Sequence, residues 1–171
     1  MTDPNVSDPT TAEGTESISM DHATIVEGLL DPGAYPHPVD EVTHIQTHIS
    51  SILLTGDRAY KLKKPVDFGF LNFSTLELRE LNCRREVKLN SRLAPDVYLG
   101  VEPVRFDGES FSIGDDDGEI VDWVVVMEQL DNDRLGVGIL ERGELTSDKL
   151  DDLVEILEPF YENARRGPDV D

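Results

Sequence analysis

Three short runs of strand-forming residues follow one another with almost no chain between them: Val42 to Thr47, Ile49 to Thr55 and Arg58 to Lys64. Gly56-Asp57 alone joins the last two. A two-residue connection closes an antiparallel hairpin, whereas a parallel pair needs a crossover of roughly a dozen residues or more. The runs therefore predict an antiparallel meander. With 171 residues, the chain has room for one core and not for two ordinary domains.

Helical signals flank the meander. Before it, His22 to Leu30 predicts a short helix ended by Asp31-Pro32-Gly33, and Pro36-His37-Pro38 forces an extended path. After it, Ser74 is the expected N-cap of a helix over about Thr75 to Leu93, with Glu77 in the capping-box position and Pro95 as the stop. Two more strands are expected, Tyr98 to Phe106 and Ile120 to Met127, joined through a solvated turn at Gly114 to Gly118. Leu150, Leu153, Val154, Leu157 and Phe160 put an apolar stripe on a last helix, Ser147 to Arg165, which Pro159 is expected to kink.

Charge narrows the partners. Thirty-six acidic side chains against fifteen Lys and Arg give a formal charge of −21. Such a field repels nucleic acid and anionic membranes. It also suits a protein working in concentrated salt, where screening removes self-repulsion; an ordinary acidic protein is the other reading. Residues 1–20 hold almost no large apolar side chains and no Lys or Arg, so 1–21 is expected to be a disordered acidic arm without signal-peptide character. The most apolar run, Ile120 to Met127, is too short and carries Asp122, so no membrane span is expected and the location should be cytoplasmic. One cysteine, Cys83, excludes an internal disulfide.

Against that charge, three of the five lysines sit within Lys61-Leu62-Lys63-Lys64. Strand alternation puts Ala59, Lys61 and Lys63 on one face, with Tyr60, Leu62 and Lys64 on the other. A charged edge that resists aggregation is one explanation. The other is a groove of ammonium groups for phosphate oxygens, because Tyr60 and Leu62 place the opposite face on a core. Glu86 is the candidate carboxylate to fix those lysines. Its helical neighbours Asn82, Cys83, Leu89, Asn90 and Leu93 are uncharged, so its face leans inward, whereas Arg84 and Arg85 look outward. A solvated helix carboxylate remains the alternative.

The motifs Ala34-Tyr35-Pro36-His37-Pro38, Thr47-His48-Ile49-Ser50, Ala59 to Leu71, Glu86 to Pro95 and Tyr98-Leu99-Gly100-Val101 occur in that order. Over residues 25–166 the chain resembles the amino-terminal part of aminoglycoside phosphotransferase-like proteins, often fused to a P-loop ATPase domain. The resemblance implies an α+β, protein-kinase-like N-lobe: a five-stranded antiparallel sheet, one packed helix and a C-terminal connecting helix. The lobe would occupy 22–145, and the connecting helix and tail 146–171. Lys61 or Lys63 would contact ATP phosphates and Glu86 would be their partner. Met127, Glu128, Gln129 and Leu130 would form the hinge that meets adenine through its backbone. Thr47, His48 and Ser50 would form the lip over the phosphates.

Other motifs carry less. Asp67-Phe68-Gly69 spells the kinase metal triplet but lies before the hinge, where a loop with Phe68, Phe70 and Phe73 packed beneath is the better reading. His22, His37, His44 and His48 lack metal-ligand spacing, and Gly136-Val137-Gly138 reads as a turn. No catalytic loop follows the hinge, no magnesium site is expected, and Phe160-Tyr161 stands where the family usually shows Phe-His. The expected function is thus an ATP-binding lobe, inactive alone and completed by a separately encoded catalytic lobe or by self-association. A non-catalytic remnant or protein-binding module is the alternative.

Overall fold

The computed structural model of the chain describes residues 20–114 and 117–164. The expected acidic arm, save its last two residues, lies outside them, as do Arg165, the tail and the tip residues 115–116. The fold is α+β. Strands β1 (Thr43–Gln46), β2 (Ser50–Leu54), β3 (Arg58–Lys63), β4 (Tyr98–Phe106), β5 (Phe111–Ile113) and β6 (Glu119–Glu128) make one antiparallel sheet. Its order is β1-β2-β3-β6-β4-β5. The sheet thus has six strands rather than the five expected.

The additional strand is three residues long, too short to show alternation. It forms because the preceding turn closes itself: the Asp107 carboxylate accepts from the Glu109 and Ser110 amides, and Gly108 supplies the left-handed φ of 103°. Phe106 and Phe111 then meet across the hairpin with ring centroids 4.8 Å apart.

One face of the sheet carries the core. Leu53, Tyr60, Leu62, Val104, Ile113, Val124 and Val126 are buried there with Ile25, Val26 and Leu29 from helix α1 (His22–Gly28) and its following segment. Asp21 caps α1 through the Ala23 amide. A 3-10 turn at Pro32–Ala34 leads to Tyr35, whose hydroxyl donates to the Leu29 carbonyl at 2.6 Å. Gly28 allows α1 this close: a Cβ there would meet the Phe111 ring at 2.0 Å.

Helix α2 (Leu76–Asn90) lies against the sheet through β6 and β4. Its N-cap is Thr75, whose hydroxyl accepts from the Leu78 amide. Ser74, the expected cap, is occupied with Asn72, to which its amide and hydroxyl both donate. Glu77 consequently falls in the first turn rather than in the reciprocal capping position. The helix ends at Asn90, short of Pro95, in a turn in which the Leu93 and Ala94 amides donate to the Asn90 carbonyl.

Beyond β6 come a 3-10 turn (Asn132–Arg134), α3 (Gly136–Glu141) and α4 (Ser147–Glu162). The Gly136-Val137-Gly138 segment therefore opens a short helix instead of a plain turn. Helix α4 is capped by Thr146 and runs through Pro159. Most of its apolar stripe, including Leu150, Leu153 and Val154, is exposed, and Arg92 reaches it over the Phe160 ring at 4.4 Å. Among the described residues, no helix is long and apolar enough to cross a membrane.

Candidate functional site

The lysine strand is central in the sheet, paired with β2 on one side and β6 on the other. Tyr60 and Leu62 point into the core, so alternation turns Ala59, Lys61 and Lys63 to the face that α2 approaches. Glu86, on the C-terminal half of α2, meets both lysines. Lys61 Nζ donates to Glu86 Oε1 at 2.8 Å and Lys63 Nζ to Oε2 at 2.5 Å. One carboxylate is shared by two ammonium groups, leaving one positive charge in excess on a chain of net charge −21.

The two lysines differ in depth. The Lys61 side chain is 26% exposed, whereas that of Lys63 is 4% exposed and lies over the Phe73 ring at 4.9 Å. Burial alone would raise the Glu86 carboxyl; hydrogen bonds from Lys61 and Lys63 overcome it and hold the group below its ordinary value. One turn earlier on α2, Cys83 is buried, its thiol pushed up to about 12 chiefly by burial. It is an inert packing group.

Across the ladder the surroundings become apolar. Lys61 is flanked by Ile52 and Val125, and Ala59 by Leu54 and Met127. Ile52, Leu54 and Met127 are half-buried. The face therefore grades from apolar at Ala59 to cationic at Lys63, a span of about 13 Å for four residues at about 3.3 Å each.

The expected hinge and lip are placed less simply. Met127 belongs to this face, while Glu128 and Leu130 are exposed. The Glu128 amide donates to the Val97 carbonyl at 2.8 Å and that of Gln129 to Asp57 at 2.9 Å. The Gln129 side chain also accepts from the Gly56 amide at 3.0 Å, fastening the β2–β3 turn to the end of β6. At the opposite end of β3, Thr47 is occupied with its own turn. Its hydroxyl donates to the Ser50 carbonyl and accepts from the Ser50 amide, both at 3.0 Å. Lys64 Nζ holds the Thr47 carbonyl at 2.6 Å. His48 is exposed at the tip, and Ser50 is fully buried with its hydroxyl unpartnered.

A second ionic contact between α2 and the sheet was not foreseen from the sequence. Arg79 Nε donates to Asp122 Oδ1 at 2.7 Å, both groups being buried. Its signal was Asp122 itself, a carboxylate inside the most apolar run of the chain. A cavity of about 620 Å³ adjoins this pair, lined by Met20, His22 and the first turn of α2, away from the lysine face. His22 there is lowered to about 4 by burial, reinforced by Lys64 and Arg79, and its Nε2 lies 3.1 Å from the Ser51 hydroxyl.

The Asp67-Phe68-Gly69 segment forms a small loop, closed by hydrogen bonds from the Gly69 amide and the Asn72 side chain to Asp67. Phe73 is buried as expected, but Phe68 and Phe70 are not: they stack on each other in the loop, Phe70 90% exposed. The turn at Gly69, φ 80°, aims them outward. Among the described residues, no three His, Cys, Asp or Glu side chains gather as a metal site.

No protein-family model and no solved structure matches the chain. Three curated proteins do, among them an uncharacterized protein of Mycobacterium tuberculosis and another of Mycobacterium bovis, each 36% identical over 138 residues. The match covers 79% of this chain and 26% of each relative. The chain thus spans about a quarter of the length of the curated relatives it matches.

Proposed function

We propose that this chain is the ATP-gripping lobe of a small-molecule phosphotransferase, built as a protein-kinase-like N-lobe. The observation that carries the reading is the Lys61–Glu86–Lys63 cluster. A strand lysine fixed by a carboxylate from the following helix is the device by which protein kinases position ATP phosphates. The strand order supports the same reading. A hairpin, the lysine strand and a strand leading to a hinge lie side by side, with β5 added at the far edge.

The residues present fit a nucleotide. Ala59, Leu54 and Met127 offer an apolar bed for adenine, and an ammonium in reach of solvent awaits the phosphates at Lys61. The Glu128 and Gln129 amides are spent within the sheet, so adenine pairing falls to the backbone beyond them, at Leu130. Magnesium, when it accompanies ATP, would neutralise phosphate charge. Acceptor activation would come from residues outside this lobe, and the curated relatives are long enough to hold a second lobe beside the matched region.

Calorimetric titration with ATP in molar salt tests the reading, with Lys61→Ala and Glu86→Ala alongside. Binding in the wild type that both substitutions weaken about tenfold or more supports it. Wild-type protein that takes up no ATP at millimolar concentration overturns it. That result would favour a protein-binding module, a reading supported by exposed Val137, Leu140, Leu153 and Ile156 on α3 and α4.

A further inference from the structure

We infer that Lys63 is a positioning residue, a permanent counter-ion that keeps Glu86 in place so that Lys61 alone is released to an incoming phosphate oxygen. The inference rests on the nucleotide reading above and divides the work of its two lysines.

Depth and surroundings separate the roles. Lys63 is enclosed: its side chain is 4% exposed and its ammonium lies over the Phe73 ring. For Lys63 to reach a ligand it would have to leave that enclosure. Lys61 reaches Glu86 from the open side of the same strand face.

Charge gives the arrangement its purpose. With a single lysine, the carboxylate and the phosphate compete for one ammonium group, and each contact made with the ligand strips the glutamate of its partner. Glu86 is largely enclosed, its side chain 14% exposed, and an enclosed carboxylate without a cation is costly. A second, fixed lysine removes the conflict. Lys61 can turn from Oε1 to phosphate while Lys63 still holds Oε2, so the helix and strand keep their positions when ligand enters. The anion that suits such a site is a phosphate chain laid along β3, its adenine end at Ala59 and its charged end at Lys61.

Two measurements on the full chain test this, and the first needs no nucleotide. Trace acetylation with acetic anhydride, read by mass spectrometry, reports how freely each lysine presents its amine. In the wild type, Lys61 should react about tenfold faster than Lys63. In Lys63→Met, Glu86 is left to Lys61 alone, and Lys61 should react several-fold more slowly. Adding Glu86→Gln to that variant should restore the rate. A Lys61 rate that Lys63→Met leaves unchanged or raises overturns the assignment.

The second measurement is ATP affinity. Lys61→Met should abolish most of it, Lys63→Met should weaken it less, and Lys63→Arg, which keeps a cation on Glu86, should restore it. A loss in Lys63→Met equal to that in Lys61→Met, without rescue by arginine, means that Lys63 meets phosphate directly and overturns the assignment. If wild-type protein binds no ATP, the nucleotide reading fails, while the acetylation rates still decide whether Lys63 holds Glu86. Lys63→Arg also serves as the folded comparison should the methionine variant not fold.

Discussion

Helix α2 is tied to the sheet by two ionic contacts of different kinds. Near its start, Arg79 and Asp122 form a closed pair, one cation to one carboxylate, with the guanidinium also touching the Phe73 and Ser74 carbonyls. About two turns along, Glu86 faces two ammonium groups, one of them partly open to solvent. The first contact consumes its charge internally and leaves nothing to offer a ligand. The second holds a surplus positive charge at a surface, in a chain that is otherwise strongly acidic. A buried pair of the first kind fixes where the helix sits; the second kind, anchored by the same helix, can serve recognition.

The sharpest way to break this contrast is to remove Arg79. Arg79→Met leaves Asp122 enclosed without its cation, and should cost about 3–5 kcal/mol in denaturant unfolding. Following it with Asp122→Leu should return most of that loss, because a matched apolar pair can replace a buried ion pair. If Arg79→Met unfolds at the wild-type midpoint, the pair does not anchor α2.

Acid should separate the two carboxylates with opposite signs. Glu86 is held below its ordinary value, so its contribution is present above the ordinary glutamate range and is lost as pH falls through the depressed native value. Asp122 is pushed up by burial, against the pull of Arg79. The folded chain therefore binds that proton more readily than the unfolded chain, and this site loses stability as pH rises through the interval between the two values. Glu86→Gln should accordingly flatten the acid side of the stability profile, measured as denaturant midpoint against pH. An acid limb equally steep in the variant would show that Glu86 is not one of the groups responsible.

The smallest effect belongs to a third pair on the same helix. Arg84 donates to Glu80 at 2.8 Å, but its side chain is 57% exposed and its guanidinium rests over Trp123. Arg84→Ala should cost under about 1 kcal/mol, most of it removed by salt. A larger loss would mean that the Trp123 stacking, not the ion pair, holds this part of the helix.

Much of this was legible in the residues, for reasons that differ from place to place. The five longer strands show alternation or apolar runs bounded by turns, and their limits lie within one or two residues of expectation. The inward lean of Glu86 was readable because its helical neighbours carry no charge. Which lysine lies deeper was not, because alternation gives Lys61 and Lys63 the same face; only the Phe73 ring and the approach of α2 distinguish them. Likewise Ser74 and Thr75 are both good caps, and the choice was made by Asn72, which captured Ser74. Asp122 was visible as an oddity, but its partner lies 43 residues earlier, beyond any local pattern. Phe68 and Phe70 were misplaced because apolar character does not reveal the direction in which a Gly69 turn aims a loop.

The Thr47–Ser50 turn has a kinetic consequence. Its hydroxyl, amide and carbonyl groups are engaged with one another and with Lys64, so it resembles a fixed brow more than a flap. On the nucleotide reading proposed above, a phosphate ligand would depart without waiting for this turn to open. Its residence time would then follow the strength of its own contacts, and ionic strength would shorten it directly.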